Sequence, residues 1–181
     1  RGMIEQRKKL VQYKRYFRDY LTGYDRLELV ATANIMGIRE SRRISGDYKL
    51  TLDDFNKRAV FDDEIGRYCN FVDIHAKSKE KHAEMLKKVK NYTSGESYGI
   101  PYRTLVPKGL SNVLAAGKII SCDRYILGSV RVMPGCFITG QAAGTAAAMI
   151  ASQGKDSRSI DVKELQKTLK KDGAYLPNFK E

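Results

Sequence analysis

The side chains best suited to chemistry in this chain are His75 in VDIH, Tyr102 in PYR, and five arginines: Arg39, Arg42 and Arg43 in RESRR, Arg103 in PYR and Arg131 in SVRVM. Imidazole titrates near neutrality, so His75 can take or give a proton, with the Tyr102 hydroxyl as a second donor. A guanidinium presents a planar fork that matches a carboxylate or phosphate. Together they point to an anionic substrate handled by acid–base groups. Each arginine alone is more often a surface ion-pair partner, and a histidine such as His75 more often a strand-end histidine bonded to its neighbours. His82 lies in a charged run and reads as plain surface.

The remaining reactive types offer less. Cys69, Cys122 and Cys136 form no CxxC pair, and neither histidine lies near them in sequence. Neither a disulfide framework nor a zinc site is implied, and no metal is expected. They read as small buried hydrophobes in a reducing compartment, which favours a cytoplasmic location.

The chain has 181 residues, 33 Lys and Arg against 21 Asp and Glu, and a net charge of +12. Such an excess raises the question of nucleic acid, whose phosphates reward clustered cations. The charge falls in two runs, residues 7–18 and 77–90, each with helical spacing of apolar residues. Solvated helix faces explain both more simply, since no zinc-finger spacing, aromatic RNA-binding motif or GxxG loop accompanies them. No apolar run reaches the ~18 residues of a spanning helix, and the first twenty residues do not resemble a signal peptide. The reading is a soluble chain with no membrane partner. It opens RGMIEQRKKL, already in a helical pattern, and is expected to be a piece of a longer protein.

These residues need elements to hold them. Spacing of Leu10, Tyr13, Phe17 and Leu21 predicts a helix over 3–21, stopped by Gly23. LELVATANIMGI, residues 27–38, has the density of a buried strand, though its alanines leave a helix possible. Thr51 followed by Asp53 and Asp54 predicts a short capped helix. CNFVDIHA, 69–76, reads as a strand, and 77–90 as a helix or insertion. IPYRTLV, 100–106, reads as an edge strand or extended arm because of its prolines. NVLAAGKII, 112–120, reads as a fully buried strand. SIDVKELQKTLKK predicts a last helix capped by Ser159 or Asp161.

Residues 128–149, GSVRVMPGCFITGQAAGTAAAM, carry four glycines and no acidic residue. The strand 112–120, a polar turn and this smooth helix make half of a doubly wound α/β unit, in which ligands bind where helix amino termini point. Ser129 is expected to cap the helix, placing positive dipole at Gly128, Ser129 and Val130, with Pro134 in the first turn. Gly140 and Gly144, four apart, share a face with Ala143 and Ala147 that can lie close against another backbone. A tightly packed core helix with no ligand fits these features equally well.

GIRESRRISGDYKLT, VDIH, YGIPYRTLVPKGLSNVLAAGKIIS, DR and GSVRVMPGCFITGQAAGTAAA, in that order over residues 34–152, resemble consecutive signatures of the carboxyl-terminal part of a bacterial FAD-dependent oxidoreductase family. The resemblance implies an α/β fold with antiparallel β additions, the carboxyl-terminal portion of a two-domain, Rossmann-like flavoprotein. Residues 1–111 would be substrate-domain-like, and 112–181 the returning strand and helices of the FAD domain. It also implies that the helix start at Gly128, Ser129 and Val130 approaches the flavin pyrimidine edge. Gly140, Ala143 and Gly144 would pack on the FAD-domain sheet, and Gly117, with Asp123 and Arg124, would lie near the ribityl or phosphate region. His75, Arg43, Arg131 and Tyr102 would be catalytic, and Arg39, Arg42 and Arg103 would bind substrate.

The chain departs from the pattern in one respect. An adenine dinucleotide is held by GxGxxG between a strand and a helix, and glycines 135, 140 and 144 have the wrong spacing. FAD would therefore belong to the full-length parent, with weak or absent binding by this piece. The expected partners are the missing amino-terminal FAD-binding portion, a small-molecule substrate, and a second copy through exposed FAD-domain surface. The alternatives are a non-catalytic scaffold and a basic polyanion-binding module.

Overall fold

The computed structural model describes residues 1–76 and 78–180, so Lys77 in the charged run and Glu181 lie outside the described residues. The chain divides into two compact units, Arg1–Ile38 and Arg39–Glu181.

The first unit is built on helix α1, Gly2–Tyr20, as its apolar spacing predicts. No α1 residue is buried, and its aromatic rings stack along the surface, Tyr16 on Tyr20 at 5.3 Å and Phe17 on Tyr24 at 5.8 Å. Residues 27–38 form no strand. An apolar run becomes a strand only where a second backbone satisfies its N–H and C=O groups, and no described segment pairs with it.

The second unit holds helices α2 (Leu52–Asn56), α3 (Lys79–Lys87), α4 (Arg124–Val130), α5 (Met133–Gln153) and α6 (Val162–Lys171), with strands β1 (Glu64–Tyr68) and β2 (Tyr98–Pro101). The expected cap at Thr51 is present as a reciprocal capping box with Asp54. Asp161, rather than Ser159, caps α6 by accepting from Lys163 N and Glu164 N. The strands form one antiparallel pair with an irregularity between Glu64 and Gly66. The architecture is thus α/β in content, with antiparallel strands.

Three expected strands are differently built. Residues 69–76 run without ladder partners, and 100–106 give two residues of β2 and then a 3-10 turn, Tyr102–Leu105. In 112–120, Ala115 N donates to Leu105 O at 2.8 Å, Gly117 N to Thr139 Oγ1 at 2.9 Å, and Gly117–Ile119 form another 3-10 turn. Turns and a side chain here take donors that a central strand gives to its neighbours.

The predicted smooth helix is two helices. Asp123, not Ser129, is the cap, accepting from Ile126 N at 2.8 Å. Pro134 lacks an N–H, and its ring meets the carbonyl four residues earlier, that of Val130. The helix therefore ends at Val130 and restarts at Met133, with Pro134 in the first turn. Gly135 makes the junction possible: a Cβ there would lie 2.4 Å from Val130 O.

The core gathers Leu50, Phe55, Ile65, Tyr98, Ile100, Leu105, Ile120, Ile126, Leu127, Leu165 and Leu169. Helix α5 lies against it through Gly135, Thr139, Ala142 and Ala146. Gly140 and Gly144 are on the other side, exposed, with no described atom outside the local helix backbone within 4 Å of where a Cβ would stand. The expectation that they meet a backbone is not met within this chain, while Ala143 is half-buried against the core.

Candidate functional site

Gly128 has the close approach expected of a smooth segment, inside α4 rather than at a helix start. A Cβ there would fall 2.7 Å from Ile74 Cγ2 and 2.9 Å from Asp73 O. The segment 69–76 can therefore lie against α4, with Asp73 N donating to Gly128 O at 3.3 Å. Ser129 fixes it further along, donating to Asn70 O at 2.6 Å while its hydroxyl meets the Tyr98 hydroxyl at 2.9 Å. Gly128, Ser129 and Val130 form the buried last turn of α4, so no positive helix end is located there. The two amino-terminal ends nearby are at Arg124, capped by Asp123, and at Met133, which has no side-chain cap.

Docked this way, the segment brings Asp73 and His75 to one small cleft of about 210 Å³, lined by Arg39, Glu40, Ile74, His75, Arg124 and Arg131. Asp73 is its hub. Its carboxylate pairs with Arg39, and its Oδ1 lies 3.2 Å from His75 Nε2. Arg131 donates from Nη2 to Asp73 O at 2.9 Å and lies 3.8 Å from Glu40. Arg124 donates to His75 O at 3.2 Å. The Arg131 side chain is only 10% exposed, whereas that of His75 is 75% exposed. The network's arginine is thus fixed and its histidine reachable. Were Nε2 to carry the ring hydrogen toward Asp73, Nδ1 would be left as the acceptor that a general base requires.

The structure therefore assembles His75, Arg39, Arg124 and Arg131. It adds Asp73 and Glu40, which the sequence reading did not select. Asp73 stands two residues before His75, and in extended chain such positions share a face, which was the available signal. Spacing could not reveal that Glu40 meets Arg124 and Arg131, which are distant in sequence. His82 also departs from expectation: its ring stacks on His75 at 6.0 Å and 12°, and its Nδ1 is buried with no hydrogen-bond partner among the described residues.

The other selected residues lie elsewhere. Tyr102 and Arg103 line a separate cleft of about 580 Å³. Tyr102 donates to Ser157 O at 2.9 Å, and burial pushes its phenol up to about 12. Arg103 is held by Asp63 through two bonds, 2.9 and 3.1 Å. Arg42 and Arg43 line a third cleft. Asp123 spends both carboxylate oxygens on backbone, Leu52 N at 2.7 Å and Ile126 N at 2.8 Å. Gly117 takes φ +71°, a conformation that favours glycine. No group of His, Cys, Asp and Glu among the described residues is arranged to hold a metal ion, and no helix is long and apolar enough to cross a membrane.

The model of the FAD dependent oxidoreductase family matches residues 1–169. The chain belongs to that family. Membership of that family implies FAD as the cofactor. No curated protein and no solved structure matches the chain.

Proposed function

We propose that the chain is the carboxyl-terminal portion of a two-domain FAD-dependent oxidoreductase. In this reading residues 1–111 contribute to a substrate domain, and 112–181 return to complete the FAD domain. The observation that carries the reading is one face of α5. Met133 and Phe137 are 71% and 69% exposed, and Gly140, Gly144 and Ala148 continue the same exposed stripe. A helix whose outer face is apolar and small along four turns is built to be covered, and the dinucleotide-binding portion of the flavoprotein is the proposed cover. A second copy meeting this face would give self-association, visible by light scattering.

The residues present fit one edge of a flavin. The uncapped amino terminus of α5 would offer backbone N–H groups and positive dipole to the negative charge of a reduced flavin. Gly117 and Arg124 are proposed to lie along the cofactor, with Gly128, Ser129 and Val130 shaping the α4 end beside it. FAD, when bound, supplies the hydride acceptor. The chain's own residues would do the rest: Arg39 and Arg131 hold an anionic substrate group, Asp73 orients His75, and His75 takes a proton. Because the chain carries no GxGxxG loop, it is proposed to bind FAD weakly or not at all by itself.

The test is a visible absorption spectrum of this chain mixed with FAD beside that of the longer flavoprotein. A flavin band in the second and not in the first supports the reading. A longer protein that stays colourless after added FAD overturns it. In the coloured protein, His75→Asn is expected to slow flavin reduction by about 10²–10⁴-fold.

A further inference from the structure

The third cleft, about 510 Å³, shares no lining residue with the cleft at His75. Four cations line it, Arg42, Arg43, Lys49 and Lys108, against one carboxylate, that of Asp47. Asp47 is already engaged by Arg158 through two bonds of 2.8 and 3.1 Å. Arg43 has Glu40 at 3.9 Å. Arg42, Lys49 and Lys108 have no ion pair with any described carboxylate.

Backbone, rather than flexible side chains, brings these charges together. An isolated antiparallel bridge joins Gly46 to Pro107, with Asp47 N donating to Val106 O at 3.0 Å and Lys108 N to Ser45 O at 2.9 Å. Lys108 is thereby set against the 41–49 segment. Gly46 also lets this segment lie close to Ser121, since a Cβ would stand 2.7 Å from Ser121 Cβ. The cationic field reaches the far lining. Burial raises the Cys122 thiol to about 12, while Arg43 and Lys49 act in the lowering direction. Three cations held together without counter-charge repel one another, and an anion relieves that repulsion.

We propose that this cleft binds a small molecule through a diphosphate group, held by Arg42, Lys49 and Lys108 together with the hydroxyls of Ser45 and Ser121. A diphosphate carries about three negative charges at neutral pH, matching the three unpaired cations. The cleft volume lies within the range of small-molecule sites, roughly 300–1,000 Å³. The diphosphate belongs either to a nucleotide or to a substrate that carries one. The proposal does not depend on flavin and is tested without it.

The experiment is calorimetric titration of the chain with inorganic pyrophosphate at about 150 mM salt. Saturable one-site binding is expected, weakened at least about tenfold in a Lys49→Ala/Lys108→Ala double variant whose melting curve is unchanged. A charge-matched Lys155→Ala/Lys167→Ala variant should bind like the original chain. Absence of saturable binding, or an equal loss in the control variant, overturns the proposal. Adenosine diphosphate binding at least about tenfold tighter than pyrophosphate assigns the nucleotide source, and equal affinity assigns a different diphosphate carrier.

Discussion

The backbone N–H of Gly117 donates to Thr139 Oγ1 at 2.9 Å, joining the turn after Ala116 to the middle of α5. Thr139 is fully buried, and the same hydroxyl donates back to Gly135 O at 3.0 Å. It holds the 3-10 turn against the long helix without a strand. Thr139→Val keeps the shape and removes the acceptor, leaving the Gly117 N–H unmatched. A loss of about 1–3 kcal/mol is expected in denaturant unfolding.

Two glycines of α5 should respond in opposite directions. Gly135→Ala drives a methyl into Val130 O and is expected to destabilise the chain by at least about 1–3 kcal/mol. Gly140→Ala meets no described atom outside the local helix backbone within 4 Å and should stabilise the isolated chain by about 0.5–1 kcal/mol through helix propensity. If, as proposed, an FAD-binding portion covers the α5 face, the same Gly140 change in a protein carrying both parts should weaken flavin retention, which the absorbance of the washed protein reports.

Arg131 links Asp73 to Glu40 and is nearly buried. Arg131→Ala removes the charged donor to Asp73 O and the cation beside Asp73 and Glu40, so a loss of about 1.5–3 kcal/mol is expected. Arg131→Lys keeps the charge but not the fork and should recover only part of it. Thermal melts of the three proteins decide.

Glu96 accepts from Arg58 at 2.8 and 3.0 Å and from Thr93 N at 2.7 Å, and these donors hold its carboxyl down to about 2. A depressed folded pKa means stabilisation that is complete above the unfolded value, about 4.3, and lost as pH falls through about 2. Carboxyl-carbon NMR should show Glu96 titrating below its unfolded value. Glu96→Gln should remove the corresponding part of the acid-side stability change.

Helices whose start lies in a local code were legible in the sequence. Thr51 with Asp54, Asp161 before 162–171, and the periodicity of 3–21 each act within one or two turns, and each produced its helix. The strands were not, because a strand depends on partners. NVLAAGKII and CNFVDIHA have strand composition but take their hydrogen bonds from turns, from Thr139 and from α4.

The sequence by itself determined the family and the types of residue that handle an anion and a proton, whereas the break before Pro134 emerged only in the structure. The tertiary structure decided which of them meet. It drew His75, Arg39, Arg124 and Arg131 to Asp73, sent Tyr102 and Arg103 to a second cleft, and left Arg42 in a third. The reason is steric and long-range. Gly128 removes the one Cβ that would hold Asp73 away from α4, and that contact spans more than fifty residues of chain, beyond the reach of any local pattern.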